Sequence, residues 1–307
     1  MIYFSVNLLG LRVVISCIGL VGNVFLILAI IQTKLARVKS FELFLLGLST
    51  ANLEEIVIVN IYDIIILQTP SSNIKTWLCR TLQFLTMFGE IASILFTVLI
   101  CIFRAQKLRE VEKRVKPIYL DNARSALMVS GLLVMLATLL CIPVFAIKLQ
   151  GLPGNTTRNS SSCPPNFFHC IGNDCPIFNR VYKYTFILVC FLLPLIIVTV
   201  TSCLIIAVLL NQGKTVTPGV SEIGSSQFSM KNKVQRLQRS TIAVLAAMGL
   251  FQVDWSLYLI FQLTVSPTDF AFWAETEFFL TTSYTSISPY VYGFGNSLFL
   301  CKNFIKK

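Results

Sequence analysis

The chain predicts an all-α membrane protein: a bundle of seven transmembrane helices, amino terminus outside and carboxyl terminus in the cytosol. Three observations carry this. Of 307 residues, 55% are hydrophobic and only 13% are charged, where a soluble domain has about 25% charged residues. Seven apolar runs are each long enough to cross a hydrocarbon core of about 30 Å. Lys and Arg concentrate in the segments that share one side of this topology.

The runs lie at 6–31, 41–67, 79–103, 123–147, 182–210, 241–265 and 277–299, in one domain covering 1–307. No basic segment with a small-residue cleavage site precedes the first run, so it reads as an uncleaved span. It carries Asn23 beside Gly22. The second run holds the successive acids Glu54 and Glu55. Neighbours on a helix stand about 100° apart, so at least one of the two faces another helix rather than a central cavity. The third run sits between Cys79 and Arg104. At about 1.5 Å rise per residue the two ends are roughly 36 Å apart, which places them at opposite membrane faces. Glu90 lies between them.

Pro143, Pro194 and Pro289 fall in the fourth, fifth and seventh runs, where each frees a backbone carbonyl and bends its helix. The sixth run contains Asp254. A charged group at the centre of a span costs roughly 2.5 to 3.5 kcal/mol on insertion scales. Glu54, Glu55, Glu90 and Asp254 therefore need a reason to be there. For Glu54 and Glu55, a neutral acid hydrogen-bonded between helices and a functional acid weigh equally; Glu90 and Asp254 read as cavity-facing. Asp63, Glu275 and Glu277 lie nearer the outer interface and read as solvated. Asn23, Asn52, Ser288 and Tyr292 are candidate polar contacts between helices.

The connecting segments fix the polarity. Lys34, Arg37 and Lys39, the stretch from Arg104 to Arg124, the segment before the sixth run and the tail together hold 18 of the 25 Lys and Arg. The positive-inside rule places these segments in the cytosol. The net charge of +11 is thus a topology signal, and nucleic acid is not an expected partner. The segment between the fourth and fifth runs carries the glycosylation sequons at Asn155 and Asn159, which independently places it outside. Cys79, Cys163, Cys170 and Cys175 share that side; four cysteines permit two disulfides in three connectivities. One bridge ties Cys79 to the long outer segment, with Cys170 the favoured partner. Cys17, Cys101, Cys141, Cys190 and Cys203 lie in spans and read as packing residues. His169 reads as an exposed loop residue, and no metal or cofactor site is expected.

On the cytosolic side, 231–239 carries alternating basic residues suited to a helical extension facing lipid or an acidic partner. The stretch 215–229, rich in Gly, Ser, Thr and Pro, reads as a flexible loop. Cys301 beside Lys302 is a candidate for palmitoylation, equally consistent with an unmodified stub. No H-E-x-x-H, G-x-S-x-G or P-loop occurs, so an enzyme is not expected.

Several landmarks then fall in one register: Gly22-Asn23; Leu46-Gly47-Leu48-Ser49-Thr50-Ala51-Asn52-Leu53; Cys79 and Arg104; Pro194; Phe251-x-x-Asp254-Trp255; and Ser288-Pro289-x-x-Tyr292. Together they resemble the rhodopsin-like G-protein-coupled receptors. The chain departs from that pattern at Phe103 and Ala105, which replace an acid and a tyrosine around Arg104. It departs also at Asn52, where an aspartate usually helps bind sodium, and at Leu257, where a proline is usual. Asn52, the 287–291 run Ile-Ser-Pro-Tyr-Val and the glycosylated outer segment are similar to vomeronasal type 1 receptors and fish class A olfactory receptors. Bitter taste receptors are the nearest competitor, and a proton-coupled transporter or channel is the rival class.

The resemblance implies a plasma-membrane receptor that binds a small odorant or pheromone in the outer half of the bundle and activates a heterotrimeric G protein of the inhibitory class. Expected ligand contacts are Met87, Glu90, Asp254, Trp255, Tyr258 and Gln262, which spans three and six bring to the central cavity. Expected switch residues are Arg104, Asn52, Pro289 and Tyr292. With Phe103 in place of an acid, Arg104 is left without the familiar local ion pair.

Overall fold

The computed structural model describes residues 2–32, 39–68, 76–113, 121–146, 176–215, 225–265, 272–296 and 298. In a bilayer each backbone N–H and C=O must be satisfied within its own segment or by a buried neighbour, so apolar runs of this length fold as helices. Seven do. They are α1 (Ile2–Gln32), α2 (Ser40–Gln68), α3 (Thr76–Lys113), α4 (Ala123–Cys141), α5, α6 (Ser225–Thr264) and α7 (Trp273–Gly295). The fifth, α5, is one rod made of Ile177–Phe186, Ile187–Leu192 and Leu193–Thr215. No strand occurs among the described residues.

The prolines shape the backbone as their chemistry requires. Pro143 falls in a 3-10 turn, Ile142–Ala146, that ends α4. Pro194 follows a π-helical turn, Ile187–Leu192, where Leu193 N–H reaches back to the Leu188 carbonyl. Pro289 lies inside α7 and cannot donate to the carbonyl of Thr285, four residues earlier. That carbonyl instead accepts from Asn23 Nδ2 of α1 at 3.0 Å. One proline and one asparagine on sequence-distant helices thus complete each other.

Helix α3 is the centre of the bundle. It packs against α2, α4, α5 and α6, while α7 closes the ring against α6, α1 and α2. Of its apolar stretch 72% is buried, against 17% for α4. Accordingly α4 buries only small residues, Ser125, Ala126, Ala137 and Cys141, and turns Leu127, Met128, Leu132, Met135 and Leu139 outward. This is the membrane arrangement, with small residues between helices and large apolar ones on the lipid face.

Several boundaries differ from the sequence expectation, among them the end of α3, which runs on to Lys113 instead of 103. Helix α7 spans Trp273–Gly295, about one turn earlier than 277–299, because Asn296 leaves the helix with φ −93 and ψ 4 and caps it. Helix α5 begins at Ile177, not 182. The segment expected to be a flexible loop over 215–229 is helical from Ser225; adding turns to an existing helix avoids the nucleation cost that an isolated segment would face.

Six helices are long and apolar enough to cross a membrane by themselves. The exception is α7, whose 281–286 stretch reads Thr-Thr-Ser-Tyr-Thr-Ser. Its hydroxyls fold back on its own backbone: Thr282 donates to the Phe278 carbonyl at 2.6 Å, Thr285 to that of Thr282 at 3.1 Å, and Ser283 to that of Phe279.

Candidate ligand site and transduction core

Residues 251, 254, 255, 258 and 262 lie at helical spacing on one face of α6. Three of the expected contacts meet here. Trp255 and Tyr258 pack edge to face with ring centroids 5.3 Å apart, and Tyr258 is hydrogen-bonded to Gln262. The sequence did not single out Phe191, which the π-helical turn of α5 turns onto both rings, at 5.3 Å from Trp255 and 5.1 Å from Tyr258. Nor did it place Glu277 here, having read it as a solvated interface residue. Gln262 Nε2 donates to Glu277 Oε1 at 2.7 Å, which corrects that reading; the first turns of α7 stand against the last turns of α6. Glu275 acts instead on Arg12 of α1, whose guanidinium sits 4.1 Å from the Phe278 ring centre.

The acids gather on the same side. Glu90 of α3 acts electrostatically on Tyr258, Glu55 and Glu277, so groups from α6, α2 and α7 lie around this acid. Glu90 is buried and its Oε1 has no hydrogen-bond partner; the same holds for both oxygens of Glu54 and of Glu55. Gly89 explains where Glu54 goes. A Cβ at position 89 would collide with the Glu54 carboxyl and lie 3.0 Å from Glu55 Cα. The missing side chain therefore lets α2 and α3 close with Glu54 between them, the orientation toward a neighbouring helix expected for one of the pair.

Met87 is buried on α3. Asp254 is buried deeper along α6 and acts on Tyr284 of α7 rather than on the Glu90 group. Four of the six expected contacts, Glu90, Trp255, Tyr258 and Gln262, are thus drawn into one cluster, with Asp254 next to Trp255 in the chain but acting on α7.

Toward the Arg104 end a hydrogen-bond network crosses four helices. Asn52 Nδ2 donates to Asn23 Oδ1 at 3.2 Å and to Ser288 Oγ at 3.3 Å, and its Oδ1 accepts from Ser93 Oγ at 2.6 Å. Thr97, one turn along α3, shares a 2.8 Å bond with the Tyr284 hydroxyl, which lies 3.4 Å from that of Tyr292. Every member is buried, and buried polar groups persist only when paired in this way. Asn23, Asn52, Ser288 and Tyr292, the candidate polar contacts of the sequence, are all part of it. Tyr284 joins the network to the aromatic cluster, since its ring meets Phe251 edge to face at 5.4 Å and Phe251 lies 6.1 Å from Trp255.

Arg104 is buried and its partners are neutral. Nη2 donates to Asn296 Oδ1 at 3.2 Å, and the guanidinium carbon stands 3.5 Å over the Phe41 ring. Nearby acids are engaged elsewhere: Lys107 pairs with Glu110 at 3.0 Å and with Asp121 at 2.8 Å.

Cys79 is disulfide-bonded, and its partner lies outside the described residues. So do Cys163, Cys170, Cys175, His169, Asn155, Asn159 and Cys301, along with the side chain of Asp63. Among the described residues no group of His, Cys, Asp and Glu is arranged to hold a metal ion.

A seven-helix bundle with a polar core and an aromatic and acidic cluster toward one end has the architecture of a multi-pass membrane receptor. The model for the 7 transmembrane receptor (rhodopsin family) matches residues 22–297, and the chain belongs to that family. The family points to a receptor, not an enzyme, with a G protein as partner and a small molecule or peptide as ligand. No curated protein matches the chain at a significant level.

Proposed function

We propose that this is a chemosensory G-protein-coupled receptor of the plasma membrane, akin to vomeronasal type 1 and fish class A olfactory receptors. Its ligand is a small odorant or pheromone, and its partner a G protein of the inhibitory class. The amino terminus and the Cys79 end face outward, with Asn155 and Asn159 glycosylated and Cys79 bridged to Cys170. Arg104 and the carboxyl terminus face the cytosol.

The observation that carries this reading is the unbroken run of contacts between the two ends. Tyr258, Trp255 and Phe251 of α6 lead to Tyr284 and Tyr292 of α7, and Asn296 leads from there to Arg104. A ligand seated against Glu90, Met87, Trp255, Tyr258 and Gln262, with Asp254 beneath, biases the packing of α6 against α3. That bias is a shift between two populations, set by the ligand's differential affinity for them. Tyr292 lies on the route, Asn52 and Pro289 belong to the polar core beside it, and Arg104 ends it.

The test is a panel of odorants and pheromone-class molecules applied to the receptor in membranes, read as nucleotide exchange on an inhibitory-class G protein. Activation by a member of the panel supports the reading. Ligand-driven current or uptake in protein-only liposomes, with no nucleotide exchange, would replace it with a transporter or channel.

A further inference from the structure

Asn296 is the residue on which the inner ends of three helices converge. Its Nδ2 donates to the Tyr292 carbonyl at 2.7 Å, so the amide cannot turn round, and Oδ1 is held facing α3 and α6. That one oxygen accepts from Arg104 Nη2 of α3 at 3.2 Å and from Ser240 Oγ of α6. The approach of α6 depends on Gly295, since a Cβ there would strike Ala243, one turn from Ser240. Phe41 of α2 covers the other side of the guanidinium at 3.5 Å. No carboxylate pairs with Arg104 among the described residues.

We propose that Asn296 is a positioning residue for receptor switching: a neutral clasp that holds α3, α6 and α7 together at the Arg104 end in the resting state, in place of an ion pair. The inference rests on the receptor reading above, which makes separation of these ends the signalling step. Two features of the clasp follow from its chemistry. Its bonds are weaker than a carboxylate–guanidinium pair, because only one partner is charged, so a modest differential affinity of ligand suffices to release it. The clasp is also tunable in both directions by the side chain at one position. Asn296→Leu removes both acceptor contacts. Asn296→Asp keeps an acceptor facing Arg104 and turns the existing charge-assisted bond into a full ion pair, while the bond lost to the Tyr292 carbonyl is a neutral and weaker one.

The experiment measures the distance between α3 and α6 in the full-length receptor in lipid nanodiscs, without ligand or G protein. Nitroxides are placed at the exposed Gln106 and Arg239, with Cys17, Cys203 and Cys301 changed to serine. Asn296→Leu is expected to move the ratio of long to short distances by about tenfold toward long, the value of one hydrogen bond to a charged group. Asn296→Asp is expected to move it toward short. Gly295→Ala, which drives α6 off α7, and Phe41→Leu, on a different helix, are expected to follow Asn296→Leu. No change in Asn296→Leu and Phe41→Leu, or movement of Asn296→Leu and Asn296→Asp in the same direction, overturns the clasp. Distances that shift as expected with no change in basal nucleotide exchange leave the clasp standing and count against the coupling reading instead.

Discussion

Ser93 Oγ donates to the side-chain carbonyl of Asn52 at 2.6 Å, deep between α2 and α3. The Asn52 amide has its carbonyl oxygen engaged here and its nitrogen shared between Asn23 and Ser288. The broad rhodopsin-like pattern, from which this chain departs here, has an aspartate at this position, whose charge helps hold sodium. A neutral amide bonded on both sides has neither the charge nor a free oxygen for that. The receptor's thermal midpoint is therefore expected to be the same in sodium chloride as in choline chloride at equal ionic strength. A sodium-specific stabilisation of several degrees would show that the polar core opens to admit the ion.

Asn23 and Pro289 should be energetically coupled. Asn23→Leu strands the Thr285 carbonyl, at a cost of about 1 to 3 kcal/mol for a buried unsatisfied group, and is expected to lower the unfolding midpoint in detergent. Pro289→Ala restores an N–H to that carbonyl. In its background Asn23→Leu should cost markedly less, and a double-mutant cycle with no coupling would mean that Asn23 acts otherwise.

At Gly89 even one methyl group meets the Glu54 carboxyl and approaches Glu55 Cα. Gly89→Ala is expected to cost about 1 to 3 kcal/mol, the usual range for overpacking, and to reduce surface expression. Glu54→Ala should recover part of that loss by vacating the space. Equal expression of Gly89→Ala and the parent would show that α2 and α3 do not close here.

Glu90→Gln and Asp254→Asn keep the shape of each side chain and remove its acidity. Both are expected to reach the surface normally, since neither acid has a cation partner among the described residues whose loss would strand a charge. Glu90→Gln should shift the potency of active ligands by about tenfold or more, an effect of the size of one charge-assisted hydrogen bond. Asp254→Asn, which alters a group acting on Tyr284 of α7, should alter efficacy more than potency. If both respond as the parent does to every active ligand, the pocket assignment fails.

How far the sequence could go is seen residue by residue. The apolar runs located all seven helices because the bilayer leaves a run of that length no alternative fold. Asn23, Asn52, Ser288 and Tyr292 were recognisable because polar groups at such depth must find one another. Glu277 was not, since its partner Gln262 lies on the neighbouring helix, in a register no spacing rule gives, and a glutamate near a helix start looks solvated. Phe191 is one of 24 phenylalanines; only the π-helical turn ahead of Pro194 aims it at Trp255. The partner of Arg104 was equally hidden, because Asn296 stands 192 positions away and reaches Arg104 only through the way α7 ends.

The hydroxyl-rich α7 has a consequence for how the protein is made. A segment of this composition has little drive to leave an aqueous channel for lipid unaided, and it is synthesised after the helices it needs. Its entry into the bilayer is thus expected to wait for a groove already formed by α1, α2 and α6, where Asn23 and Asn52 offer it matching polar groups. Damage to Asn23 would then appear less as a signalling defect than as a chain retained during biogenesis with its last segment on the wrong side of the membrane.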